Sequence, residues 1–142
     1  MEMNYFHGQI SLIAGTLFSI LYEENPQVSL FVKENLKMKK INNYDNYLVD
    51  ENGNVFNTLT KKYLKGSIGE HGYKYYRLSK NNKKTLFYAH RLVAEYYIPN
   101  PNSYPVVNHK DGNKLNNNIN NLEWVTYSEN TKHWKENNII KR

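Results

Sequence analysis

Four residues near the end of the chain have the types and spacing to do chemistry: Asn108, His109, Asn121 and Asn130. Asn121 follows His109 by 12 residues, and Asn130 follows it by 21. That spacing suits a strand ending in the histidine, a loop pinned by an asparagine, a second strand, and a helix presenting a third polar group. Such a hairpin and helix can hold one divalent ion and one general base against a phosphodiester. Hydrolysis of that bond has three requirements. A water must lose a proton, charge building on phosphorus must be stabilised, and the leaving 3′ oxygen must be neutralised. A histidine of ordinary pKa can take the proton near neutral pH. One Mg²⁺ touching the phosphate serves the other two needs. It keeps several waters and so asks for only one or two protein oxygens.

The elements that must position these residues can be read from the surrounding pattern. Val106-Val107 is a short strand delivering Asn108 and His109. Lys110 to Asn121 is a long loop, in which Asp111 reads as a turn residue and Asn116-Asn117-Asn118 as filler. Leu122 to Thr126 is the second strand. Ser128 is the expected N-cap of a last helix through about Asn137. Upstream, Ala89 to Tyr97 reads as a helix with Leu92, Val93 and Tyr96 on its apolar stripe, ended by Pro99. Before it come short strands. Tyr47-Leu48-Val49 leads through a turn containing Asn52-Gly53 into Val55-Phe56. Tyr73 to Ser79 alternates, with Tyr73, Tyr75 and Arg77 on one face and Lys74, Tyr76 and Leu78 on the other. Asn81 to Lys84 turns the chain, and Thr85 to Tyr88 returns.

Composition sets the outer bounds. The 142 residues make one domain, or one domain with an appendage. With no cysteine, disulfides and thiolate-held zinc are excluded. The net charge of +6 is unevenly placed. Residues 1–37 carry two lysines against four glutamates, so the whole basic excess lies beyond them, where the motif is. A phosphate-binding surface needs that. The apolar run ISLIAGTLFSILY is too short to span a bilayer and lacks a basic leader. The expectation is therefore a soluble, intracellular, cytoplasmic protein with no membrane partner. Residues from about 9 to 22 have helical apolar spacing, broken at Asn25-Pro26. Composition changes at Met38, which suggests that Met38 is the natural start; the rival is a helical hairpin that packs on the rest or mediates dimerisation.

The wording NHKDGN…NNLEWVT…EN resembles the HNH family of ββα-metal nucleases, in particular short phage and intron homing endonucleases. The pieces YLVDENGNVFN, GYKYYRL and AHRLVA extend the resemblance over most of residues 44–134, with a NUMOD-type β module before the motif. It implies an α+β fold: a helical N-terminal extension at 1–40, a small antiparallel β module at 41–88 as a DNA-binding candidate, and a ββα-metal core at 89–142. It implies cleavage of double-stranded DNA with one Mg²⁺ or Mn²⁺ per site. His109 is then the general base, Asn130 a metal ligand, and Asn121 a structural residue that bridges the strand ends and orients the motif. Asn108 stands where relatives often carry Asp, so it offers the metal a neutral oxygen and weaker binding. His133 shares a helix face with Asn130 and either reaches a phosphate or the metal or merely packs. His90 buttresses the site or contacts a phosphate. His7 and His71 have no context. Lys74, Arg77, Lys83, Lys84, Arg91 and Lys110 are expected phosphate contacts. Two rivals stand beside this reading: a DNA-binding module with an impaired nuclease site, and an interaction protein using the hairpin as scaffold. Oligomeric state is not legible.

Overall fold

The computed structural model describes residues 37–139. Of the helical extension expected at 1–40 only residues 37–40 are described, and there Lys39–Lys40 form a strand paired with residues 48–49; the rest of that expectation falls outside the described residues. Nearly all the described residues lie in the unit Met38–Arg142. No helix among them is long and apolar enough to cross a membrane.

The strands come first, as the alternating pattern requires. β1 (Lys39–Lys40), β2 (Tyr47–Val49), β3 (Val55–Asn57) and β4 (Lys62–Tyr63) form an antiparallel sheet in that order. β5 (Ser67–Ile68), β6 (Lys74–Lys80) and β7 (Lys83–Tyr88) form a second. Then come α1 (Ala89–Tyr97), a two-stranded hairpin of β8 (Val106–His109) and β9 (Leu122–Val125), and α2 (Tyr127–Ile139). This is the expected α+β arrangement of antiparallel strands and helices.

α1 is the spine on which the hairpin is mounted. Its Ala89 and Leu92 belong to a cluster with Ile41, Tyr47, Val49, Val55, Tyr76 and Leu78 from the two sheets. Val93 and Ala94 belong to a second cluster with Val107 and Leu122 of the hairpin. Sheet residues and hairpin residues therefore grip different faces of one nine-residue helix. Hydroxyls reinforce the apolar contacts. Tyr76 donates to the carbonyl of Gly53 at 2.9 Å, and Tyr97 donates to that of Val49 at 2.6 Å.

Two boundaries differ from expectation, each for a local reason. The β6–β7 turn is only Asn81-Asn82, with φ of 49° and 61°. Two left-handed residues in sequence are what a tight hairpin needs, and asparagine tolerates that conformation. Lys83 and Lys84 therefore lie in β7, not in the turn. At α2 the cap is Thr126 rather than Ser128. Glu129 N–H donates to Thr126 Oγ1 at 3.3 Å, and Thr126 N–H donates to Glu129 Oε2 at 2.8 Å. That reciprocal pair is a capping box, written in the sequence as Thr-Tyr-Ser-Glu.

The β2–β3 turn reaches the hairpin loop. Asp50 Oδ1 accepts from the N–H groups of Asn52 and Asn54, which closes the turn around Gly53 at φ +75°. A Cβ on Gly53 would stand 3.1 Å from Asn117 Cβ and 3.3 Å from both Ala89 Cβ and Val93 Cγ2. Gly53→Ala is therefore expected to destabilise the fold by about 1–3 kcal/mol, since left-handed strain and crowding add. A lowered urea midpoint checks this; an unchanged one would mean the turn and loop are not tightly packed.

Candidate active site

His109 ends β8 and is buried, as are Asn108, His90 and Asn117. Asn117 Oδ1 lies 3.1 Å from His109 Nε2. The other end of that amide donates to the Leu115 carbonyl at 3.2 Å, which fixes oxygen toward the ring. An amide oxygen only accepts, so Nε2 carries the ring proton and Nδ1 is left as the acceptor. Among the described residues the one sealed and unpartnered side-chain polar atom is His90 Nδ1, and no hydrogen bond to His109 Nδ1 forms. Burial holds the His109 pKa below the ordinary 6.5, only partly opposed by the Asn117 hydrogen bond and Asp111. The ring is therefore neutral at pH 7 and ready to accept a proton.

The loop after His109 is held by amides and one carboxylate. Asp111 Oδ1 accepts from Asn113 N–H at 2.8 Å and from Asn121 Nδ2 at 2.9 Å, and its Oδ2 accepts from Asn116 Nδ2 at 2.8 Å. Asn121 also donates to the Asn116 carbonyl and accepts from Asp111 N–H, while its own carbonyl accepts from Lys110 N–H at 2.8 Å. It thus ties the two strand ends together. Asn117 was read from sequence as filler; in the structure it holds the histidine. The loop also leans on the β2–β3 turn, where Ile119 N–H donates to the Glu51 carbonyl and Asn118 Nδ2 to Asn52 Oδ1.

α2 packs against β8. Its His133 donates from Nε2 to the Lys110 carbonyl at 3.1 Å, and Asn137 Nδ2 lies 3.2 Å from His133 Nδ1. His133 thus makes contacts within the protein, to the Lys110 carbonyl and to Asn137, which lies 3.2 Å from both ring nitrogens. Asn130 lies one turn earlier on the same face, so it is carried toward the end of β8. It is half-buried, and no hydrogen bond to its side chain forms among the described residues. Asn108 Nδ2 donates to Glu123 Oε1 at 2.9 Å, which leaves Oδ1 as its free end.

His90 sits in an aromatic nest. Its ring centroid is 4.8 Å from Tyr73, 5.6 Å from Tyr88 and 5.2 Å from His109. Burial first, then the neighbouring His109 and Arg91, push its pKa down to about 3. A ring with that pKa is uncharged near neutral pH, and it packs against His109.

The six expected phosphate contacts do not share one face. In β6 and β7 the residues opposite one another are Tyr75 and Tyr88, Arg77 and Leu86, Ser79 and Lys84. That face is exposed at Arg77, Lys84, Leu86 and Tyr88, and Arg77 stacks over Tyr75 at 5.1 Å. Through Tyr88 and Tyr73 it runs into the nest around His90. Lys74 and Lys83 alternate to the other face, with buried Tyr76 and Leu78. Arg91 is exposed and donates to the Pro105 carbonyl at 3.4 Å, and Lys110 donates to that of Asn120 at 3.1 Å.

A family model described as HNH endonuclease matches residues 87–132, from the end of β7 into α2. The chain carries an HNH endonuclease domain. Among its relatives is the uncharacterized HNH endonuclease L245 of Acanthamoeba polyphaga mimivirus, 50% identical over 105 residues, which are 74% of this chain and 32% of that protein. Another is the DNA endonuclease I-HmuI of Bacillus phage SP01, 40% identical over 92 residues, 64% of this chain and 53% of that one. A solved structure described as "DNA binding and cleavage by the HNH homing endonuclease I-HmuI" matches with a TM-score of 0.65 and 37% identity, over 71% of this chain and 59% of that one. The chain thus spans from a third to about half the length of these two curated relatives.

HNH endonucleases generally depend on a divalent metal. The residues of this HNH domain suit such an ion. Among the described residues no three of His, Cys, Asp and Glu gather to hold a metal. What the hairpin and α2 offer instead is the free oxygen of Asn108, the uncommitted side chain of Asn130 and a carboxylate beside Asn108. A hard, well-hydrated cation accepts such oxygens and completes its shell with water and phosphate.

Proposed function

We propose that this chain is a homing-type DNA endonuclease that hydrolyses one phosphodiester at a time with His109 as general base and a single Mg²⁺ or Mn²⁺. The observation that carries the reading is the His109–Asn117 pair: a buried histidine whose Nε2 lies 3.1 Å from an amide oxygen, which directs the ring proton to Nε2 and leaves Nδ1 to accept. Nδ1 takes the proton of the attacking water. Asn117 and the nest of Tyr73 and His90 keep the ring from rotating away. Asn121 and Asp111 keep the strand ends together, so that the His109 backbone stays in place. Asn108 and Asn130 would hold the metal through their side-chain oxygens. When bound, that ion supplies charge stabilisation at phosphorus and at the leaving oxygen. The exposed face of Tyr75, Arg77, Lys84 and Tyr88 would hold the double-stranded DNA by its phosphates.

The test is a supercoiled-plasmid assay with EDTA, Mg²⁺ or Mn²⁺. Nicked or linear product only with metal supports the reading. A second reading is favoured by one specific observation, the neutral Asn108: a DNA-binding module with an impaired nuclease site. Salt-dependent DNA binding without cleavage in either metal would select it.

Asn117→Ala separates orientation from chemistry. It leaves the Nε2–H of His109 without its acceptor and frees the ring. Cleavage is expected to fall about 10- to 10²-fold, as for a misplaced catalytic group. Single-turnover rates check this, and parental rates would assign the histidine's orientation to the nest alone.

A further inference from the structure

The β8–β9 register sets Asn108 opposite Glu123. Asn108 Nδ2 donates to Glu123 Oε1 at 2.9 Å. Two other carboxylates near the hairpin are already committed. Asp111 uses both oxygens on its own loop. Glu129 uses Oε2 twice in the cap of α2. Glu123 is half-buried and makes this one hydrogen bond through one oxygen. Among the described residues no Lys, Arg or His lies within ion-pair distance of it. The carboxylate therefore has one oxygen on a buried amide, the other uncommitted and no cation beside it, which leaves a negative charge directly behind Asn108. It is explained if a cation arrives on the other side of that amide.

We propose that Glu123 is a positioning residue of the cation site: it fixes the Asn108 amide with Oδ1 as the free end and supplies, one hydrogen bond behind that oxygen, the negative charge that Asn108 lacks. The inference rests on the metal site named above. An amide whose N–H donates to a carboxylate has a more electron-rich oxygen, because hydrogen bonds in series polarise one another. Charged groups behind a metal ligand tune affinity by about 10–100-fold. The same geometry changes what Asn108→Asp does. Aspartate at 108 would face Glu123 with no proton between them, and like charges directly opposite across a hairpin repel. The gain in ligand charge would come with a strained metal-free protein. Moving the carboxylate rather than adding one avoids this: in Asn108→Asp/Glu123→Gln the donor and acceptor change places, and both the hydrogen bond and the single charge are kept.

The experiment measures Mn²⁺ binding to the full chain without DNA, from the electron paramagnetic resonance of free Mn²⁺, alongside thermal midpoints in EDTA. Glu123→Gln is expected to weaken Mn²⁺ binding about 10-fold or more with a midpoint in EDTA close to the parent's. The double variant is expected to return to within a few-fold of the parent's affinity. Asn108→Asp alone is expected to lower the midpoint in EDTA and to gain more than the parent when Mn²⁺ is added. Parental Mn²⁺ affinity in Glu123→Gln overturns the assignment and leaves the metal site standing. A double variant no better than Glu123→Gln also overturns it, since charge position would then not be the cause. A parent chain that binds no Mn²⁺ overturns the metal site itself and this inference with it.

Discussion

His109→Ala is expected to slow cleavage by about 10²- to 10⁴-fold, the usual cost of losing a general base, while DNA affinity stays near that of the parent. The size follows from the absence of a substitute. His90 is the nearest other imidazole, at 5.2 Å between ring centroids, but its Nδ1 is sealed and without a partner. Its pKa of about 3 also makes it a poor proton acceptor. His133 lies on α2 with its Nε2 bonded to the Lys110 carbonyl and Asn137 against its ring. Asp111 is held below the ordinary carboxylate range by hydrogen bonds from Asn116, Asn113 and Asn121, and those bonds occupy both its oxygens. Binding should survive because the residues proposed to hold phosphates, Arg77 and Lys84, lie on β6 and β7, away from His109 in sequence and in strand. Single-turnover cleavage and an electrophoretic binding titration make the test. Near-parental cleavage would remove His109 from the chemistry, and lost binding with lost cleavage would mean that the side chain holds substrate instead.

The second large effect is expected in acid. Burial pushes the His90 pKa down to about 3 in the folded protein, whereas in the unfolded chain the ring takes a proton near its ordinary value of 6.5. Between those limits the unfolded state binds more protons than the folded one, so stability rises with pH and is lost as pH falls below 6.5. The full shift corresponds to a loss on the order of 5 kcal/mol, a large part of the roughly 5–15 kcal/mol that holds a domain of this size together. His109, also held below its ordinary pKa by burial, pulls in the same direction. Urea denaturation from pH 7 to pH 4 should show the decline. His90→Phe keeps an aromatic ring in the nest and cannot titrate, so its stability should fall less steeply. A parent whose unfolding free energy is level across that range would show that the ring charges in place.

How much of this was legible in the sequence depends on the range of the signal. The helix Ala89–Tyr97 is a local pattern and was placed to the residue. The hairpin at Val106–Val125 followed from the motif, because a histidine at a strand end and an asparagine before the next strand bracket the loop. The role of Asn117 was not legible. It lies in a run of three asparagines, and only the folded loop turns the middle one inward while Asn116 bonds to Asp111. Glu123 was recoverable in principle. Once His109 faces Leu122, the residue opposite Asn108 is fixed by strand alternation, and a carboxylate there is a signal. The split of the lysines was recoverable too, since a turn of two asparagines puts Lys83 and Lys84 on opposite faces of β7. The cap at Thr126 shows the limit of single-residue cues: serine at 128 has the right type, but the Thr-x-x-Glu pair offers two hydrogen bonds where serine offers one.

The turn at Asp50–Asn54 has a consequence for how such proteins can be recombined. Its backbone receives the amide of Ile119, its Asn52 accepts from Asn118, and its Gly53 leaves room for Asn117, the residue that holds His109. The β2–β3 turn of the first sheet is therefore one wall of the loop that holds His109 and not a detachable adaptor. A chimera joined between Tyr88 and Ala89 would swap that wall while keeping the loop, and would inherit a histidine whose support no longer fits. A crossover that carries residues 39–139 as one block would keep the site, its α2 residues and the turn that supports it together.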